Sequence, residues 1–136
     1  MAQIDILSSQ NRQYKDLSLT FSRNPVTSDV VAVTGVDAVK RAIKNLLLTQ
    51  AGEVPFFPDF GSRLQRTLFE PIDPMTTARI DSEIRATLGA YEPRCGILQL
   101  FINPTPDESA YQINLVLQLI NLVTPVTLTL FLQRLR

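Results

Sequence analysis

"SAYQINLVLQLINLVTPVTLTLFLQ", residues 109–133, decides the fold. Tyr111, Ile113, Leu115, Leu117 and Leu119 alternate with Gln112, Asn114, Val116, Gln118 and Ile120. After a break at Asn121–Pro125, Val126, Leu128, Leu130 and Leu132 alternate with Thr127, Thr129, Phe131 and Gln133. A period of two puts each apolar set on one face of a strand, so the stretch predicts a long hairpin. No charged residue occurs from Ser109 to Gln133. Edge strands are usually guarded by lysine, inward charge or a bulge. An unguarded hairpin is therefore either covered by its own helices or built to pair with another chain. Strand addition would supply backbone hydrogen bonds and side-chain pockets together.

Towards the N-terminus, Leu98, Leu100 and Ile102 alternate with Ile97, Gln99 and Phe101, a third strand, and Asn103–Asp107 reads as the turn that follows it. Before it lies a helix. Asp73 is its expected N-cap, Pro74 its first residue, and Ile80, Ile84, Leu88 and Tyr91 recur at helical spacing. Pro93 ends it and biases Glu92 out of helical geometry. The corner Glu92-Pro93-Arg94 thus contains a stop signal and two opposite charges, either a brace or a docking point.

"GEVPFFPDFGSRL", residues 52–64, is neither helix nor central strand, because its prolines fix the backbone and remove donors. Pro55, Phe56, Phe57, Pro58, Phe60 and Gly61 form a rigid aromatic loop whose rings must cap the core or meet a partner. A short helix is expected from Ser62 to Phe69, with Leu64, Leu68 and Phe69 facing inward. Upstream, Thr34 is the expected N-cap of a helix carrying Val36, Val39, Ile43, Leu46 and Leu47 inward, with Lys40, Arg41 and Lys44 on the remaining face, either solvated or a docking patch. Gly52 is the expected stop of that helix. Leu17, Leu19 and Phe21 alternate as a short strand. Residues 1–14 read as an arm and 15–136 as one domain. The expected class is α+β, with two long helices and a short one packed on a mostly antiparallel sheet with a long C-terminal hairpin.

Composition narrows function. The 13 basic and 13 acidic residues balance, so no charge excess draws the chain to nucleic acid or anionic lipid. With 45% hydrophobic and only 19% charged residues, the chain is apolar for its size, as an interface would require. There is no histidine, which removes imidazole catalysis, the usual nucleophile–histidine dyads and most zinc sites. Cys95, the only cysteine, reads as a buried inert thiol. The five glycines form no phosphate-binding pattern, and no metal or other cofactor is expected. The N-terminus lacks a signal-peptide pattern, and no run reaches the roughly 18 apolar residues of a membrane helix. A hydrolase would have to use Glu53, Asp59, Glu70, Asp73 or Glu92, as carboxylate glycosidases do, but no tryptophan is present to build a sugar cleft. What remains is a protein–protein module.

Several segments, taken in order, resemble the baseplate wedge or sheath-initiator family of contractile phage tails, which has a counterpart in type VI secretion. They are Leu46–Thr49, Gly52-Glu53, Pro55-Phe56, Pro58–Ser62, Leu68–Pro71 and Glu92–Arg94. The likeness covers about residues 36–133, and Val54 departs from it where the family often has a basic residue. The resemblance implies no catalysis and a tail-baseplate location, with assembly in the bacterial cytoplasm. It implies docking on the wedge core through Glu92, Pro93 and Arg94. It implies strand pairing with the first sheath ring through Tyr111–Leu119 and Val126–Leu132. Baseplate wedge proteins, sheath protein and tube or hub proteins are the implied partners, with about six copies per assembly from sixfold symmetry. A lysozyme-like label once used in this family, and a self-pairing scaffold, are the alternatives.

Overall fold

The computed structural model describes residues 15–120 and 122–134, so the arm at 1–14 lies outside the described residues. The elements run β1 (Lys15–Leu17), β2 (Ala32–Thr34), α1 (Val36–Leu48), α2 (Leu64–Thr67), α3 (Pro74–Tyr91), β3 (Cys95–Thr105), a 3-10 turn (Pro106–Glu108), β4 (Ala110–Leu119) and β5 (Val126–Gln133). This is the expected α+β class, with three helices and two antiparallel sheets among the described residues. Contacts cluster into two units, residues 1–42 and 43–136. No helix among the described residues is long and apolar enough to cross a membrane.

In the first unit β1 pairs antiparallel with β2, Asp16 opposite Val33. The expected strand through Leu19 and Phe21 is corrected. The strand stops at Leu17, Phe21 takes a left-handed φ of 48°, and Leu17, Leu19 and Phe21 are all exposed. Alternation without a partner strand or a core to face does not hold an extended chain. The Thr34 cap is also corrected. Thr34 belongs to β2, and Gly35, at φ 68°, stands between that strand and the helix.

In the second unit the sheet has the order β3-β4-β5, a meander with β4 at its centre. Tyr111, Ile113, Leu115, Leu117 and Leu119 are buried on one face of β4, and Val126, Leu130 and Leu132 continue that face on β5. Helix α3 packs on β3 and against α2. Its buried stripe is Ile80, Ile84, Thr87 and Leu88. The expected cap is present: Asp73 Oδ1 accepts from Thr76 N at 2.6 Å, with Pro74 in the first turn. The capping hydrogen bonds hold the Asp73 carboxyl below its ordinary range.

Three local expectations change. The helix expected from Ser62 to Phe69 is a single turn, Leu64–Thr67, and Phe69 is 63% exposed, so it does not face inward. Strand β3 runs on through Asn103 and Pro104 to Thr105, and the turn is made by Pro106–Glu108 with Ser109 at φ 50°. Leu98 is an extra residue in β3, between Ile97 opposite Leu117 and Gln99 opposite Val116. That bulge reverses the alternation: Ile97 is half-buried and Leu98 exposed.

Candidate functional site

Three regions carry the residues singled out by sequence. The first is the corner after α3. Glu92 caps the helix, its N–H donating to Leu88 O at 2.9 Å. Its side chain is only 5% exposed. Arg94 grips it with both ends of the guanidinium: Nε donates to Oε1, and Nη2 donates to Oε2 at 2.5 Å. Two parallel charge-assisted bonds fix Arg94 as well as neutralising Glu92. The Arg94 side chain is 40% exposed, so the pair has one buried end and one outer end. Arg94 O accepts from Ile120 N at 3.1 Å, tying the corner to the end of β4. Beside it, burial and the Glu92 charge push the Cys95 thiol from 9.0 up to about 11, with Arg94 pulling the other way. Such a thiol is protonated and unreactive near neutrality.

The second region is the Pro/Phe loop between α1 and α2. Phe60 packs edge-on against Tyr91, ring centroids 5.2 Å apart, and Tyr91 OH donates to Asp59 O. The loop's foot is sewn to the end of α1. Ser62 N donates to Thr49 O, Ala51 N to Ser62 O, and the buried Ser62 Oγ to Leu47 O. Gly61, at φ 113°, lies so close to this foot that a Cβ would sit 2.6 Å from Thr49 O. On this fixed base Phe56 is 97% exposed and Phe57 68% exposed, with Pro55 and Pro58 exposed beside them. Phe56 is held at φ 69°. A bulky residue in that conformation is strained, which natural structures tolerate chiefly at functional positions.

The third region is the hairpin. Because β4 has β3 on one side and β5 on the other, Tyr111, Ile113, Leu115, Leu117 and Leu119 form the core behind an edge rather than an edge. The two outer strands differ. β3 contains a bulge and Pro104, both of which blunt an edge. β5 pairs with β4 in unbroken register from Val126 opposite Leu117 to Gln133 opposite Ala110. It has no charge, proline or bulge, and no further strand pairs with it among the described residues.

The direction of β5's backbone groups follows from one bond. Arg134 N donates to Ser109 O at 3.2 Å, continuing the register one step beyond Gln133 and Ala110. In an antiparallel ladder hydrogen-bonded pairs alternate with non-bonded ones. Leu132, Leu130, Leu128 and Val126 therefore spend their N–H and C=O groups on β4. Gln133, Phe131, Thr129 and Thr127 aim theirs away from the sheet. Sequence reasoning had selected the inward set. The outward set was legible in the same alternation, but only a hydrogen bond fixes which residues bond which way.

Four of the five candidate carboxylates are engaged through their side chains, and Asp59 is held through its backbone O, which accepts from Tyr91 OH. Both Glu70 oxygens accept from Arg79 Nη1 at 2.8 Å, Asp73 caps α3, Glu92 is clamped by Arg94, and Glu53 Oε2 accepts from Gln50 N at 2.9 Å. Among the described residues there is no cluster of acidic or cysteine side chains that could hold a metal.

The family of baseplate wedge protein gp25 matches this chain over residues 33–121. Baseplate wedge protein gp25 of Enterobacteria phage T4 is 28% identical over 102 residues, 75% of this chain and 76% of that protein. A chain of the anti-feeding prophage baseplate superposes with a TM-score of 0.71 at 25% identity, covering 88% of this chain and 94% of that one. A proposed tail lysozyme of Geobacter sulfurreducens shares the fold, with TM-score 0.68, 24% identity, and coverage of 74% and 91%. So does a chain of the postcontracted pyocin R2 baseplate, with TM-score 0.52, 18% identity, and coverage of 81% and 96%.

Proposed function

The chain belongs to the baseplate wedge protein gp25 family, and from that premise we propose that it is a structural part of a contractile-tail baseplate that starts the sheath by lending it the edge of β5. The observation that carries this reading is the unguarded edge itself: outward backbone groups at Thr127, Thr129, Phe131 and Gln133, backed by a buried central strand. A first-ring sheath strand added there would extend the β3-β4-β5 sheet. The wedge side is held by the opposite features. Arg94 is pinned by Glu92 with its side chain 40% exposed, and Phe56 and Phe57 offer apolar side chains on a rigid base. Wedge, sheath and tube or hub proteins are the partners, with about six copies in a sixfold assembly. The location is the tail baseplate, assembled in the host cytoplasm.

This reading assigns no catalysis: Glu53, Glu70, Asp73 and Glu92 are taken up as backbone acceptor, ion pair, cap and brace. A peptidoglycan zymogram tests that point: clearing that Glu70→Gln abolishes would restore the lysozyme alternative. The self-pairing scaffold predicts a stable homo-oligomer in light scattering, and the initiator reading predicts none.

The main test is Thr129→Pro. Proline at an edge strand's outward N–H is tolerated by the fold, and here it spares every β4–β5 bond. The variant should enter baseplates that then fail to nucleate sheath, seen by negative-stain microscopy. Contractile tails of normal form would refute the pairing.

A further inference from the structure

Beside the outer edge of β5 lies a groove of about 210 Å³, lined by Leu48, Gln65, Leu68, Phe69, Phe131, Leu132, Gln133 and Arg134. Consecutive strand residues point to opposite faces, so a groove that touches Phe131, Leu132 and Gln133 together must run along the strand's edge. Its other wall is the end of α1 together with Leu68 and Phe69. Arg134, two residues beyond Leu132 and on the same face, lays its guanidinium over the Phe69 ring, 5.4 Å from the centroid. Among the described residues it is the one charged residue lining the groove.

Resting on the edge-pairing reading above, we propose that this groove selects the sheath strand. It takes one large apolar side chain, from the residue opposite Leu132, and a carboxylate from the residue opposite Arg134. Leu132 bonds inward to β4, so an antiparallel newcomer meets it in a non-bonded pair, where facing side chains are closest and share a face. That newcomer's side chain enters the apolar part of the groove, against Leu68 and Phe69. Because the added strand runs opposite to β5, the residue facing Arg134 comes two positions before the apolar one. The recognised pattern is thus acidic-x-apolar within an otherwise uncharged strand. The backbone edge gives strength without sequence, while the groove gives register: a slip of one residue would turn both side chains to the other face.

The test uses the full chain and synthetic strand peptides of about ten residues, built on alternating Thr and Val and labelled for fluorescence anisotropy. One carries Asp-x-Leu, one Asp-x-Ala and one Lys-x-Leu. Asp-x-Leu should bind about tenfold more tightly than Asp-x-Ala, the discrimination a well-filled apolar pocket gives, and more tightly than Lys-x-Leu. Phe69→Ala should erase the preference for Leu, and Arg134→Glu should reverse that for Asp over Lys. Both side chains are on the surface, and circular dichroism melting confirms the folds. Thr129→Pro should abolish binding of every peptide. If it does so while Phe69→Ala and Arg134→Glu leave the preferences unchanged, the groove assignment is wrong and the edge reading stands. If Thr129→Pro leaves binding intact, the edge reading falls and takes the groove with it. Absence of binding by any peptide overturns the groove, while tail morphology still judges the edge.

Discussion

The Pro/Phe loop and the Glu92-Pro93-Arg94 corner are both short and proline-containing, and they invert the usual partition of side chains. The loop exposes Phe56 and Phe57, while the corner buries a glutamate. In the loop, apolar surface stays in water on a backbone that Gly61, Ser62 and the Phe60–Tyr91 contact hold still. In the corner, a carboxylate leaves water only because a bidentate arginine replaces the lost hydration. The difference teaches where each motif's constraint lies. The corner is needed by the fold through its buried glutamate, and docking through Arg94 is the proposal added to that. The loop is tied to the fold at its foot, while its tip stays exposed, which is why it is proposed for contact.

That contrast can be broken by substitution. Arg94→Ala strands a buried carboxylate and should cost about 3 kcal/mol, the low end for such pairs because Arg94 is itself half-exposed. The double change Glu92→Leu with Arg94→Met should recover most of that loss in urea titrations. If Arg94→Ala melts like the parent, the pair is a surface contact rather than a brace. At the loop's foot, Gly61→Ala should cost at least about 2 kcal/mol, since the new methyl meets a backbone carbonyl at a φ that disfavours side chains. At its tip, Phe56→Ser with Phe57→Ser should change stability by less than about 0.5 kcal/mol, as surface replacements do, yet block incorporation into baseplates. Normal incorporation would remove the loop from the interface. The smallest effect is chemical: Cys95, raised by burial and Glu92 to about 11, should alkylate slowly at neutral pH and gain rate only as pH nears that value. The linkage follows the same window. The protonated thiol's advantage is complete below its ordinary 9.0 and is lost as pH rises through about 11. Rapid labelling of folded protein at neutral pH would mean the corner is open.

Much of this was legible in the chain. Period-two alternation located β4 and β5, and Asp73-Pro74 located the start of α3, because each is a local pattern with a local cause. Other features depend on partners distant in sequence. Nothing near Leu98 announces its bulge, which shows only in the pairing with β4, where Ile97 faces Leu117 and Gln99 faces Val116. Phe69 faces inward only on a helix that reaches it, as expected from Ser62 to Phe69, but the helix ends at Thr67 and leaves it outside. The absence of charge from Ser109 to Gln133 had two causes that sequence could not separate: β4 is uncharged because it is central, whereas β5 is uncharged at an edge. Glu92's burial was hidden for the same reason, since a glutamate beside an arginine reads alike on a surface or in a core.

The most direct test of the central claim is amide hydrogen exchange along β5, read residue by residue. In the free protein, Thr127, Thr129, Phe131 and Gln133 should exchange fast while Leu128, Leu130 and Leu132 stay protected by β4. In baseplates that carry the first sheath ring, the fast set should become slow as well. An outward set that exchanges equally fast with and without sheath would contradict the account.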